Sequence, residues 1–181
     1  PRLFDLVPRY IEKYGYKDCL FAGKVNKQWV KYDGKKFYEI TNSISYGLLK
    51  LGVKKGDRIA LIANNAPEWN MIDFAIQQVG AICIPIYPTI SHDDYKYIFN
   101  HSEASIAFFT NKHLYSKVAD IIADIPTIKE TYLIRASEDM KSLQDLIDLG
   151  NDNKDVDTLE ARMAEVKNED VATIIYTSGT M

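Results

Sequence analysis

The chain has 181 residues, of which 46% are apolar and 12% aromatic, and its formal charge is −3 at neutral pH. That length suits one domain or most of a larger one, and the apolar content supports a buried core and excludes a disordered chain. Lysines and acids are interspersed, which excludes the clustered basic excess of a nucleic-acid binder.

Leu3, Leu6, Val7, Tyr10, Ile11 and Tyr14 recur at helical spacing, so the first segment is predicted to be a helix that Gly15 stops. Pro8 is expected to begin or kink it. Two short apolar runs follow, Cys19 to Ala22 and Trp29 to Tyr32, and Gly23-Lys24-Val25-Asn26 between them predicts a hairpin. Asp33-Gly34 is read as a turn, and Ile40, Ile44, Leu48 and Leu51 mark the next helix face.

From there strands and helices alternate. Predicted strands are Arg58 to Ala63, Ala81 to Tyr87, Ser105 to Phe109, Thr131 to Arg135 and a buried Val171 to Tyr176. Predicted helices carry Trp69, Ile72, Ile76 and Val79, then Tyr95, Ile98 and Phe99, then Leu114, Val118, Ile121 and Ile122, then Leu143 to Leu149. Pro67 suits a first helical turn, and Ser91 an N-cap with Asp94 at the positive end. Gly150 to Asp157 is the best linker candidate, with one short helix expected in Leu159 to Val166. The alternation implies an α/β fold with a mainly parallel sheet and flanking helices. Ligands of such sheets bind beyond the carboxyl ends of the strands.

Three strand ends therefore deserve inspection: Asn64 to Trp69, Pro88 to Ser91, and Thr177-Ser178-Gly179-Thr180. A phosphate needs several donors converging on a small volume. The last segment offers three hydroxyls, backbone amides and a glycine that lets the backbone approach. It lacks the Gly-Lys-Ser/Thr of a Walker loop, and by composition alone it is also compatible with an ordinary polar loop. A hydrolase elbow at Ser178 would need glycine where Tyr176 stands. His92, His101 and His113 have no ligand spacing and read as surface or helix-cap residues, and no metal ligands or catalytic residues are assigned. Glu68 reads as a first-turn acid and Trp69 as core. Cys19 and Cys83 fit no metal or redox spacing and read as two buried thiols in a reducing compartment. The longest apolar stretch, Val79 to Tyr87, is broken by Pro85 and falls short of the ~18 residues a bilayer span needs. A cytoplasmic location is the expectation, with peripheral membrane contact left open.

Tyr176-Thr177-Ser178-Gly179-Thr180 resembles the phosphate loop of the adenylate-forming superfamily, which reads Tyr-Thr-Ser-Gly-Thr-Thr-Gly, a variable residue, then Pro-Lys-Gly. Five positions match, and Met181 stands where threonine is usual. Further segments are similar in order: Asn42 to Ala60, Asn65-Ala66-Pro67-Glu68-Trp69, Gly80 to Thr89, and Tyr97 to Ala104. The Pro-Ile-Tyr-Pro-Thr and Asn-His-Ser-Glu pieces look most like the long-chain fatty acid–CoA ligases. The resemblance implies that residues 1–181 are the N-terminal part of an AMP-binding, acyl-CoA synthetase-like domain whose remainder is absent. It implies ATP, Mg2+ and coenzyme A as cofactors, a fatty acid as substrate, and Thr177, Ser178, Gly179 and Thr180 as binders of the β,γ-phosphates. Asn65 to Trp69 is expected to be structural. The chain alone is expected not to adenylate, and to associate through exposed apolar surface. Two other readings stay open: an adenylating enzyme for another carboxylic acid, and a non-catalytic nucleotide- or partner-binding module.

Overall fold

A computed structural model describes residues 2–177 of the chain. A 3-10 turn, Leu3–Asp5, leads into α1, Leu6–Tyr14, which Gly15 ends at φ 69°. Pro8 lies in the first turn, where its missing N–H breaks no helical bond. The hairpin follows as β1, Phe21–Val25, and β2, Gln28–Tyr32. Its turn falls at Asn26 and Lys27, with φ of 50° and 66°, later than the expected glycine-centred position. Two positive φ values give the twist that a two-residue hairpin requires.

Asp33 caps rather than turns: its carboxylate accepts the Lys36 amide at 2.7 Å and starts α2, Gly34–Lys50. Then come β3, Arg58–Ile62; α3, Pro67–Gln78; β4, Ile82–Ile86; α4, His92–Ser102; and β5, Ile106–Phe109. The stretch from Leu114 to Ile122, expected as one helix, forms two short ones, α5 at Lys112–Ser116 and α6 at Ala119–Ala123. The chain continues through β6, Glu130–Leu133, α7, Leu143–Asp152, and α8, Val156–Glu165.

Strands β3 to β6 form a parallel sheet in the order β4-β3-β5-β6. The period-two alternation of a strand sends Ile59 and Leu61 to one face, where α2, α3 and α7 cover them. Ala60 and Ile62 go to the other, under α4, α5 and α6. Both faces are dry, so the strands read as unbroken apolar runs. Keeping one crossover hand forces the connections onto opposite faces: α3 carries the chain from β3 outward to β4, and α4 carries it back past β3 to β5.

Two expectations fail for definable reasons. Gly150 does not open a linker; it sits in α7 against α2, where any side chain would strike the Ser43 carbonyl, as one at Gly47 would strike that of Leu146. The two glycines let the helices approach closely, a contact that a local polar composition hides. Val171 to Tyr176 is neither a full strand nor buried. It runs parallel to β4 through one bridge, with Cys83 donating to the Ala172 carbonyl and Ile174 donating to the Cys83 carbonyl, both at 3.0 Å. The next donor on that edge of β4 would be residue 85, and Pro85 has no N–H. Val171, Ile174 and Ile175 stay exposed.

Candidate active site

The connections after β3 and β4 leave toward opposite faces of the sheet, so a crevice opens between the carboxyl ends of these neighbouring strands. Doubly wound sheets bind ligands beyond the carboxyl ends of their strands. A cleft of about 500 Å³ occupies it. Asn64 and Asn65 line it from the β3 end, Tyr87, Pro88 and Thr89 from the β4 end, and Ile175 from the segment alongside β4. Two of the three strand ends singled out in the sequence therefore meet at one opening, and the segment leading to the third borders it through Ile175.

Local capping holds each wall. Pro67 occupies the first position of α3, and Trp69 donates its amide to the Ala66 carbonyl at 3.0 Å. Asn64 donates its amide to the Thr110 hydroxyl at 2.8 Å, tying the loop after β3 to the end of β5. Ser91 and Asp94 form a reciprocal capping box at the start of α4. The Tyr95 hydroxyl donates to the Tyr87 carbonyl at 3.1 Å and fixes the β4 end. Both α3 and α4 begin close in sequence to residues that line the crevice.

Glu68 is a first-turn acid as expected, but it also pairs with Arg135, just past β6, at 2.6 Å. Its second carboxylate oxygen is buried without a partner. Burial, and then the Glu68 charge, push the Tyr32 hydroxyl up. Trp69 is half-buried, packed against the core, and also forms part of the cleft wall. Of the thiols, only Cys83 is buried; Cys19 is exposed, because it precedes β1 instead of lying in it. Burial raises the Cys83 thiol well above its ordinary range, with the neighbouring Asp73 charge adding to the shift. An inert thiol follows.

Of the expected phosphate binders, Thr177 is described and exposed; Ser178, Gly179 and Thr180 lie outside the described residues. The backbone reaches Thr177 directly from the cleft wall. Ile175 faces the cleft, and Tyr176 turns its ring onto α4. There the Tyr176 hydroxyl lies 2.8 Å from Nδ1 of His101. The reading of His101 as a surface or cap residue missed this contact, since no sequence signal links positions 75 residues apart. Among the described residues, no group of three or more His, Cys, Asp or Glu side chains could hold a metal ion. No helix among the described residues is long and apolar enough to cross a membrane.

Residues 8–181 match the family model described as AMP-binding enzyme. The chain belongs to that family. Among similar proteins, the long-chain-fatty-acid–CoA ligase FadD15 of Mycobacterium bovis is 37% identical over 134 residues, covering 74% of this chain and 22% of that protein. The long-chain-fatty-acid–CoA ligase ACSBG2 of Rattus norvegicus is 26% identical over 182 residues, covering 97% of this chain and 27% of that protein. The chain thus spans about a quarter of these relatives. A crystal structure of the long-chain-fatty-acid–CoA ligase FadD1 from Archaeoglobus fulgidus superposes with a TM-score of 0.79 at 24% identity, covering 99% of this chain and 35% of that one. The α/β fold with a mainly parallel sheet, read from the alternation of elements, is therefore the fold of this chain, and the family is the one its motifs resemble.

Proposed function

We propose that this chain forms the front of an ATP-dependent fatty acid–CoA ligase, and that its crevice between β3 and β4 opens onto the phosphate site. The observation that carries the reading is the cleft at the carboxyl ends of β3 and β4, bordered by Ile175 on the segment that leads to Thr177. A carboxylate is a poor acyl donor because its oxygen leaves badly. Joining it to AMP and releasing pyrophosphate solves this, and the thiol of coenzyme A can then displace AMP.

The hydroxyls and amides of Thr177, Ser178, Gly179 and Thr180 suit the first step, because preformed donors aimed at oxygens that gain charge lower the barrier. The donor set fits a polyphosphate. Magnesium would add charge neutralisation when bound. No described cluster fits it, and none of the described residues is assigned to it or to coenzyme A. Residues 1–181 are taken as the N-terminal part of the AMP-binding domain, and the chain alone is expected not to adenylate.

The test is carboxylate-dependent ATP–pyrophosphate exchange by the complete gene product, over a panel of long-chain, short-chain, aryl and amino acids, followed by thioester formation with coenzyme A. Exchange strongest with long-chain acids supports the reading. Exchange with another acid class moves the substrate, and absence of exchange with every acid overturns the ligase assignment. Exchange by residues 1–181 alone would overturn the expected inactivity of the isolated chain.

A further inference from the structure

Tyr176 is the last residue before the proposed phosphate loop, and its side chain is held by one hydrogen bond and two ring contacts. Its hydroxyl lies 2.8 Å from His101 Nδ1, and its ring meets those of Tyr97 and His101 edge-on, at centroid distances of 6.3 and 5.7 Å. The His101 ring is itself stacked on Tyr97, at 5.4 Å and 21°, so its orientation is set before it meets Tyr176. The end of α4 that carries His101 is braced in turn. Arg58, at the start of β3, donates to the Ser102 carbonyl at 2.8 Å and pairs with Glu103 at 2.5 Å.

Backbone pairing does little here. Pro85 ends the ladder to β4 after one bridge, so the last backbone bond to β4 is made by Ile174. Between Ile174 and Thr177 the chain has one polar side-chain anchor among the described residues, the Tyr176–His101 bond.

We propose that His101 is a positioning residue for the phosphate loop: through the Tyr176 hydroxyl it fixes where the backbone enters Thr177. This rests on the proposed ligase reading. Small displacements of a positioned group cost rate steeply, so the effect belongs in kcat rather than in carboxylate binding.

The test uses the complete protein with His101→Ala, His101→Asn, Tyr176→Phe and the His101→Ala/Tyr176→Phe pair. An asparagine amide oxygen occupies nearly the place of Nδ1, so His101→Asn should restore the bond. In ATP–pyrophosphate exchange, His101→Ala and Tyr176→Phe are each expected to lower kcat about tenfold with the KM for the acid unchanged. The double variant should lose no more than either single one, and His101→Asn should recover most of the rate. Losses that multiply to about 100-fold in the double variant, or a His101→Ala rate equal to wild type, would overturn the proposal. Wild-type inactivity would overturn the ligase reading instead. Amide hydrogen exchange of the peptide spanning residues 174–181 then decides the positioning role by itself. Faster exchange in His101→Ala and Tyr176→Phe, reversed in His101→Asn, supports it; equal protection in all four proteins overturns it.

Discussion

Glu68 and Arg135 show how one side chain can hold a wall of the cleft. Glu68 is 12% exposed and Arg135 37%, so the pair is only partly screened by water. Arg135→Met would strand a carboxylate that already has one unpartnered oxygen. The expected loss is about 2 kcal/mol, below the range for a fully buried pair because Arg135 is partly solvated. The double variant Glu68→Gln/Arg135→Met should be more stable than Arg135→Met. Urea unfolding midpoints check this, and a double variant weaker than the single would contradict it. Asp73 makes a pH prediction. Burial raises its carboxyl above the ordinary value of 3.8, while bonds from Gln77 and Cys83 only partly oppose that. A raised carboxyl means that the folded state binds more protons than the unfolded one. Stability therefore falls as pH climbs from 3.8 through the folded value. Asp73→Asn should raise the unfolding midpoint at neutral pH, with the gain vanishing near pH 4; a gain that persists there would refute the burial explanation. The sequence placed Glu68 in a helical first turn and could not give its partner, which lies 67 positions away. His101 is exposed in the last turn of α4, as its sequence context implies, but its contact with Tyr176 leaves no local signature.

At the scale of elements, the signals that were legible are those that act over three or four residues. Ser91 with Asp94, Pro67 at the start of α3 and Gly15 at the end of α1 all stand where their local chemistry puts them. A second capping box, Ser142 with Asp145, starts α7, and its hydrogen bonds hold the Asp145 carboxyl below its ordinary range. Ser142→Ala should cost about 1 kcal/mol in thermal or urea unfolding, and an unchanged midpoint would mean that the cap is idle. What stayed hidden are features that depend on a neighbour. Gly150 is surrounded by acidic and amide residues and looked like a linker, yet it is the contact point of α7 with α2. Gly150→Ala should lower stability by about 3 kcal/mol, the upper end of overpacking costs, because the obstruction is backbone and cannot rotate away. An unperturbed unfolding midpoint would show that the helices can separate freely. The segment from Val171 to Tyr176 reads as a buried strand from its apolar side chains. The proline that limits its pairing lies on β4, so the reason was in the sequence but on another element.

For the molecule as a whole, the order β4-β3-β5-β6 makes the site. Alternating strands and helices were enough to give a parallel sheet, and the rule of carboxyl-end binding was enough to select three loops. Strand order was not legible, because periodicity says which residues are buried and not which strands are adjacent. Only the order explains why the loops after β3 and β4 diverge and leave a cleft between them, and why the approach to Thr177 borders it. The central claim is that this cleft leads to a phosphate site built by Thr177, Ser178, Gly179 and Thr180. Carboxylate-dependent ATP–pyrophosphate exchange by the complete protein carrying Thr177→Ala and Ser178→Ala, against wild type, tests it most directly. Loss of these donors should lower kcat by about a hundredfold with the KM for the acid little changed. Exchange at the wild-type rate would contradict the claim.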